Sequence, residues 1–247
     1  GYKEVVLTGI HLSSYGVDFE DKTDLLALIQ AVNRVDGIER IRLGSLEPKI
    51  VTEEFASALS QMPKVCPHFH LSLQSGCDAT LKRMNRRYTA EEYETGCRLL
   101  RKYFKHPAIT TDVIVGFPGE SDEEFEITKQ FLKKIHFYKM HVFKYSKRKG
   151  TRAAVMQDQV AEQIKTGRSA ELISLGNEMS DEFRMYYTGK IKDVLFEEKV
   201  EINGKSYYTG YTKEYVKVAK ESEETLENQI IEGKITGRLT DDIYIMR

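Results

Sequence analysis

No run of this 247-residue chain approaches the roughly 18 apolar residues of a membrane span, and its start lacks the charged, apolar and small-residue order of a secretory signal. No membrane association is expected, and the cytoplasm is the default location. Excess charge is lacking as well. Lysine and arginine total 37 against 38 acidic residues, a formal net charge of −1, so affinity for nucleic acid must come from local patches and not from a global field. Cysteines number three, Cys66, Cys77 and Cys97. An odd count at irregular spacing suits neither a disulfide framework nor a zinc site, so no metal ligands are expected in this chain and the thiols read as buried or incidental. What is present is 40% hydrophobic content, which over this length can fill one large core and one small one.

Two segments stand out, HLSLQSGCDATLKRMNRRYT at 70–89 and TTDVIVGFPGESDEE at 110–124. Each is a short apolar run that ends in a glycine turn and then opens a helix. Parallel α/β folds gather their ligands at such corners, outside the carboxyl ends of the strands. The surrounding pattern agrees. Strands are expected at 3–8, 40–43, 69–73, 109–115 and 139–145. Helices are expected at 24–32, 52–61, 90–104 and 122–135, with Asp24, Thr52 and Thr89 as caps. Five strands alternating with four helices imply a parallel sheet with right-handed crossovers, either open and doubly wound or part of a barrel. Residues 156–187 read as a charged helical connector. From 188 to 247 short alternating runs surround Asn203-Gly204, a hairpin signal, and predict a small antiparallel β-barrel.

The succession VVLTGIHLSSYG, IRLGSLEP, HFHLSLQSGCDATLKRMNRRYT, TTDVIVGFPGESDEEF and HVFKYSKRKGTRAA resembles the radical S-adenosylmethionine methylthiotransferases, in order and over nearly all of residues 1–155. The terminal module resembles that family's TRAM domain, and TGYTKEYVKV looks most like the branch acting on N6-threonylcarbamoyladenosine at position 37 of tRNA. Sister branches modify isopentenyladenosine in tRNA or an aspartate of a ribosomal protein. The resemblance implies a partial βα barrel, S-adenosylmethionine as cofactor, two 4Fe–4S clusters in the parent protein and tRNA as partner, with the sulfur and electron donors unknown. The family's CxxxCxxC is absent from this sequence, and Cys66, Cys77 and Cys97 lack its spacing. The chain is therefore expected to be a piece of a longer enzyme, catalytically incomplete and beginning at the second barrel strand, whose outer edge is left open. A non-enzymatic RNA-binding chain is the alternative.

Candidate cofactor residues follow from strand ends. By position in the family, Thr8 and Gly9 would meet the cofactor's methionine amino group, and Glu47 would orient cofactor or substrate. Gln74 and Ser75 offer amide and hydroxyl groups suited to ribose or carboxylate oxygens. Asp112 and Ile114 alternate with Thr111 and Val113, so one pair faces inward. Asp112 and Ile114 are assigned there, because an interior carboxylate needs a partner or ligand. Gly116 and Gly119 permit close backbone approach around Pro118. Phosphate contact is expected from two basic clusters, Lys82, Arg83, Arg86 and Arg87 after one strand and Lys147, Arg148, Lys149 and Arg152 after another. In the terminal module Tyr211 and Lys213 are expected to stack on bases and bind phosphate.

Overall fold

The computed structural model describes residues 1–20 and 23–247. β1 (Glu4–Leu7) runs parallel to β2 (Arg40–Leu43), with Glu4 opposite Arg40 and Leu7 opposite Leu43. β3 (His68–His70), β4 (Ala108–Val115) and β5 (Lys139–Lys144) form a second parallel ladder in that order. Isolated parallel bridges, Ile41 to Val65 and Leu46 to Leu71, join the two ladders. All five strands thus follow chain order without closing into one continuous sheet. β3 stops short of the expected residue 73 because the Leu73 amide donates to the Thr111 hydroxyl, at 3.1 Å, and not to a backbone carbonyl. β1 pairs with β2 alone, and its Val6 is exposed.

Helices α1 (Leu25–Asn33), α2 (Glu53–Ser60), α4 (Ala90–Tyr103) and α5 (Asp122–Ile135) cover one face. Their starts are set by side chains that satisfy free amide groups. Asp24 and Thr52 accept from Ala27 and Phe55, while Thr89–Glu92 and Ser121–Glu124 form capping boxes. A short helix, α3 (Asp78–Arg83), occupies the basic stretch after β3. Alternation sends Phe69, Leu71 and Leu73, then Thr111, Val113 and Val115, into the core beneath these helices. The intervening residues of β2 to β5 face the concave side.

The expected connector is a working part of both cores. α6 (Glu162–Met185) lays Leu172 and Met179 into the first core, while Phe183 and the following Tyr187 enter the second. That second core lies in a closed barrel of β6 (Ile191–Ile202), β7 (Lys205–Thr212), β8 (Lys217–Lys220), β9 (Ile230–Arg238) and β10 (Ile243–Met246), in ring order β10-β8-β7-β6-β9. Asn203 and Gly204 make the β6–β7 turn with φ of 52° and 76°, the left-handed pair a tight hairpin needs. Four pairings are antiparallel, but β8 and β10 run parallel, which corrects the expectation of an antiparallel barrel. The reason is parity: an odd number of strands cannot close a ring with every neighbour reversed.

The small barrel is locked onto the amino-terminal ends of β2 and β3. Buried Arg40 donates to the carbonyls of Tyr211 (2.7 Å) and Asp193 (2.8 Å). Arg42 forks onto Glu4 at 2.9 and 3.0 Å and donates to the Lys213 carbonyl and to His68 Nδ1. Tyr215 stacks between His68 and Tyr211, with centroids 4.5 Å away on each side. Because His68 Nδ1 must accept from Arg42, its ring stays neutral; burial first, then the nearby guanidinium, pushes its pKa down to about 3. Among the described residues no helix is long and apolar enough to cross a membrane.

Candidate active site

The carboxyl ends of the strands are left uncovered, and there a cavity of about 560 Å³ opens between β4, β5 and the segment after β5. Asp112 and Ile114 project into it from β4, Phe143 from β5, Gln74 from the bend after β3, with Phe117, Tyr145 and Arg148 at its sides. Register explains the grouping. Asp112 lies opposite His141 and Ile114 opposite Phe143, so every second residue of both strands shares the concave face.

Gln74 is held at φ 70°, a left-handed conformation that a non-glycine residue adopts at a cost of roughly 1–2 kcal/mol. The bend is kept because its amide donates to the Asp112 carbonyl and its carbonyl accepts from Ile114, both at 2.9 Å. Its side chain is thereby aimed into the cavity beside Asp112. The Asp112 carboxyl is held below its ordinary range, chiefly by His70, whose Nε2 lies 3.4 Å from Oδ2.

The turn after β4 is built by ion pairs. Glu120, 5% exposed, accepts from the Gly116 amide at 2.6 Å and from Arg168 of α6 at 2.7 Å, while Arg168 also reaches Asp122. Burial raises the Glu120 carboxyl, opposed by the Gly116 amide and Arg168. Gly116 (φ 70°) does not line the cavity, and a Cβ there would lie 2.1 Å from the Lys165 stem, so packing against α6 requires the glycine. Gly119 (φ 78°) similarly faces Arg83.

Other expected residues lie elsewhere. Thr8, Gly9 and Glu47 are exposed at the ends of the first two strands but do not line the cavity. Ser75 is fully buried and turned toward α5, where it bonds Thr128 at 3.0 Å and accepts from the Cys77 amide, because helix packing claims its hydroxyl. Arg83 forks onto Glu124 and donates to the Pro118 carbonyl, so its charge fastens α3 to the α5 start and does not face solvent as a free cation. Lys82, Arg86 and Arg87 remain exposed, as do Lys147, Lys149 and Arg152, and Arg148 sits at the cavity wall. Tyr211 and Lys213 are committed to the barrel lock, Tyr211 through Tyr215 and Lys213 through its ammonium on the Pro63 carbonyl at 2.9 Å. His70, His141, Phe143 and Arg168 were not anticipated. For the first three the signal was the two-residue period of their strands; for Arg168 on α6 there was none.

The three cysteines lie buried in separate places, and burial pushes Cys66 up to about 11 and Cys97 up to about 12. No group of potential metal ligands among the described residues includes a cysteine, so this chain's thiols do not fit an iron–sulfur cluster.

The Radical SAM superfamily profile matches residues 1–132, and the chain belongs to that superfamily. The superfamily implies S-adenosylmethionine and a 4Fe–4S cluster. The chain is 41% identical over 236 residues to the threonylcarbamoyladenosine tRNA methylthiotransferase MtaB of Bacillus subtilis, covering 95% of this chain and 52% of that protein. It is 39% identical over 235 residues to the tRNA-2-methylthio-N(6)-dimethylallyladenosine synthase of Acetivibrio thermocellus, covering 95% and 49%. The chain thus spans about half the length of the curated relatives it matches. Among solved structures, coproporphyrinogen III oxidase of Escherichia coli superposes with a TM-score of 0.55 at 15% identity, over 72% of this chain and 40% of that one, a likeness of fold.

Proposed function

We propose that this chain is the cofactor-binding and RNA-facing part of a methylthiotransferase that adds a methylthio group to C2 of N6-threonylcarbamoyladenosine at position 37 of tRNA. The observation that carries the reading is the cavity, where an inward carboxylate (Asp112), a strained amide (Gln74) and apolar Ile114 and Phe143 meet beneath a basic segment, 147–152. That set suits S-adenosylmethionine: Asp112 pairs with its ammonium, Gln74 bonds ribose or carboxylate oxygens, and Ile114 and Phe143 flank the adenine. When bound with its cluster, the cofactor supplies the radical that activates an unreactive C–H position. The residues of this chain bind and orient it, and Lys147, Arg148, Lys149 and Arg152 draw the RNA backbone to the same rim.

Both relatives named above modify tRNA adenosines, and identities of 41% and 39% lie too close to choose the nucleoside. The choice of N6-threonylcarbamoyladenosine rests on the resemblance of residues 209–218. The test is to reconstitute the full-length protein with iron and sulfide, supply S-adenosylmethionine and reductant, and analyse tRNA nucleosides by mass spectrometry. The expected product is the 2-methylthio form of N6-threonylcarbamoyladenosine. A methylthio product on isopentenyladenosine instead reassigns the branch, and none on any adenosine sinks the tRNA reading.

A further inference from the structure

We propose that His70, Asp112 and His141 bind one late first-row divalent transition cation, of the Zn²⁺ or Co²⁺ class, on the concave face just below the cofactor cavity. This site goes beyond the proposed methylthiotransferase reading and revises the expectation of no metal ligands; because it shares Asp112 with that reading, the ion and the cofactor's ammonium are alternatives at this carboxylate. One ligand atom from each residue lies within 4.8 Å of the other two. The three side chains project from neighbouring strands, β3, β4 and β5, whose register fixes their spacing.

The His70 Nε2 to Asp112 Oδ2 distance is 3.4 Å. A charge-assisted hydrogen bond is shorter, about 2.7–2.9 Å, whereas two ligands on one tetrahedral ion at about 2.0–2.1 Å from the metal stand about 3.3–3.4 Å apart. The first two ligands are therefore already at the spacing of a shared ion. His141 faces Asp112 in register and is exposed, so its ring turns to complete the set without repacking the core.

Thr110 supports the arrangement, since its hydroxyl lies 3.0 Å from His70 Nδ1. The tautomer with Nδ1–H donating to that oxygen leaves the Nε2 lone pair free for an ion shared with Asp112, in place of the Nε2–H that bonds the carboxylate when no ion is bound. Two imidazoles with one carboxylate favour Zn²⁺, Co²⁺ or Ni²⁺ over the all-oxygen preferences of Mg²⁺ and Ca²⁺.

The test titrates the 247-residue chain with Co²⁺ in the absence of S-adenosylmethionine and follows visible absorption. Saturation at one equivalent is expected, with bands of nitrogen and oxygen ligation and no thiolate charge transfer. His70→Gln, Asp112→Asn and His141→Gln should each weaken binding by about tenfold or more. Two exposed histidine–carboxylate pairs, His11–Glu47 and His136–Glu182, serve as controls, and His11→Gln and His136→Gln should leave the titration unchanged. Because His141 is exposed, its variant keeps the fold, as thermal melting should show. No saturable absorption, a thiolate band, or unchanged binding in a folded His141→Gln protein overturns the site. Saturable Co²⁺ binding that is lost in His141→Gln supports it even where S-adenosylmethionine fails to bind, so the two readings fail separately.

Discussion

At the scale of single residues, Gln74 and Arg168 carry opposite loads. Gln74 holds a left-handed backbone whose relief by glycine offsets the entropy glycine costs. Gln74→Gly is therefore expected to change stability by less than about 1 kcal/mol while weakening S-adenosylmethionine binding by the full-length protein, measured by calorimetry. Equal loss of stability and binding would mark the side chain as structural. Arg168 is the partner of buried Glu120. Arg168→Ala leaves that carboxylate unpaired and should cost about 3–5 kcal/mol, read from the urea midpoint. Glu124 gives the pH dependence. Its carboxyl is held low, first by Arg83, against a smaller opposing effect of burial. A carboxylate with a depressed folded pKa contributes stability that is complete above its unfolded pKa and is lost as pH falls through the folded one. The wild-type chain should thus lose more stability on acidification from neutral pH to below 4 than Glu124→Gln does.

At the scale of elements, capping and period made most of the first 145 residues legible. Asp24, Thr52 and Thr89 begin helices where a side-chain oxygen meets free amides, and the 109–115 alternation put Asp112 and Ile114 on the concave face. What stayed hidden was long-range. A tyrosine beside lysines reads the same whether it meets a base or a histidine, so the sequence does not show that Arg42 and Pro63, the latter 150 residues away, hold Lys213, or that Tyr215 stacks between His68 and Tyr211. Gly116 is a similar case, since the side chain packed where its Cβ would lie comes from α6. The lock is itself testable. Tyr215→Ala removes both ring stacks, each worth about 0.5–1.5 kcal/mol beyond buried area, and should let the small barrel undock. Limited proteolysis should then cut between residues 185 and 191, where the wild type resists.

At the scale of the molecule, net charge near zero hides an uneven distribution. Segment 147–152 places four cations beside the cavity, whereas Arg83 and Lys213 are already paired within the fold. In filter binding with tRNA, Lys147→Ala/Lys149→Ala should lower the slope of log affinity against log salt by about 1–2, since each phosphate contact contributes about 0.7–0.9. Lys213→Ala should leave the slope unchanged; a reversed pattern would move the RNA path to the small barrel's inner edge.

The lock also fixes a length. The small barrel sits where the strands begin and the cavity toward where they end; on β4 (Ala108–Val115) the cavity residues Asp112 and Ile114 lie about 13 and 20 Å from the first residue at roughly 3.3 Å per residue. A ligand that engages both ends must reach across that span.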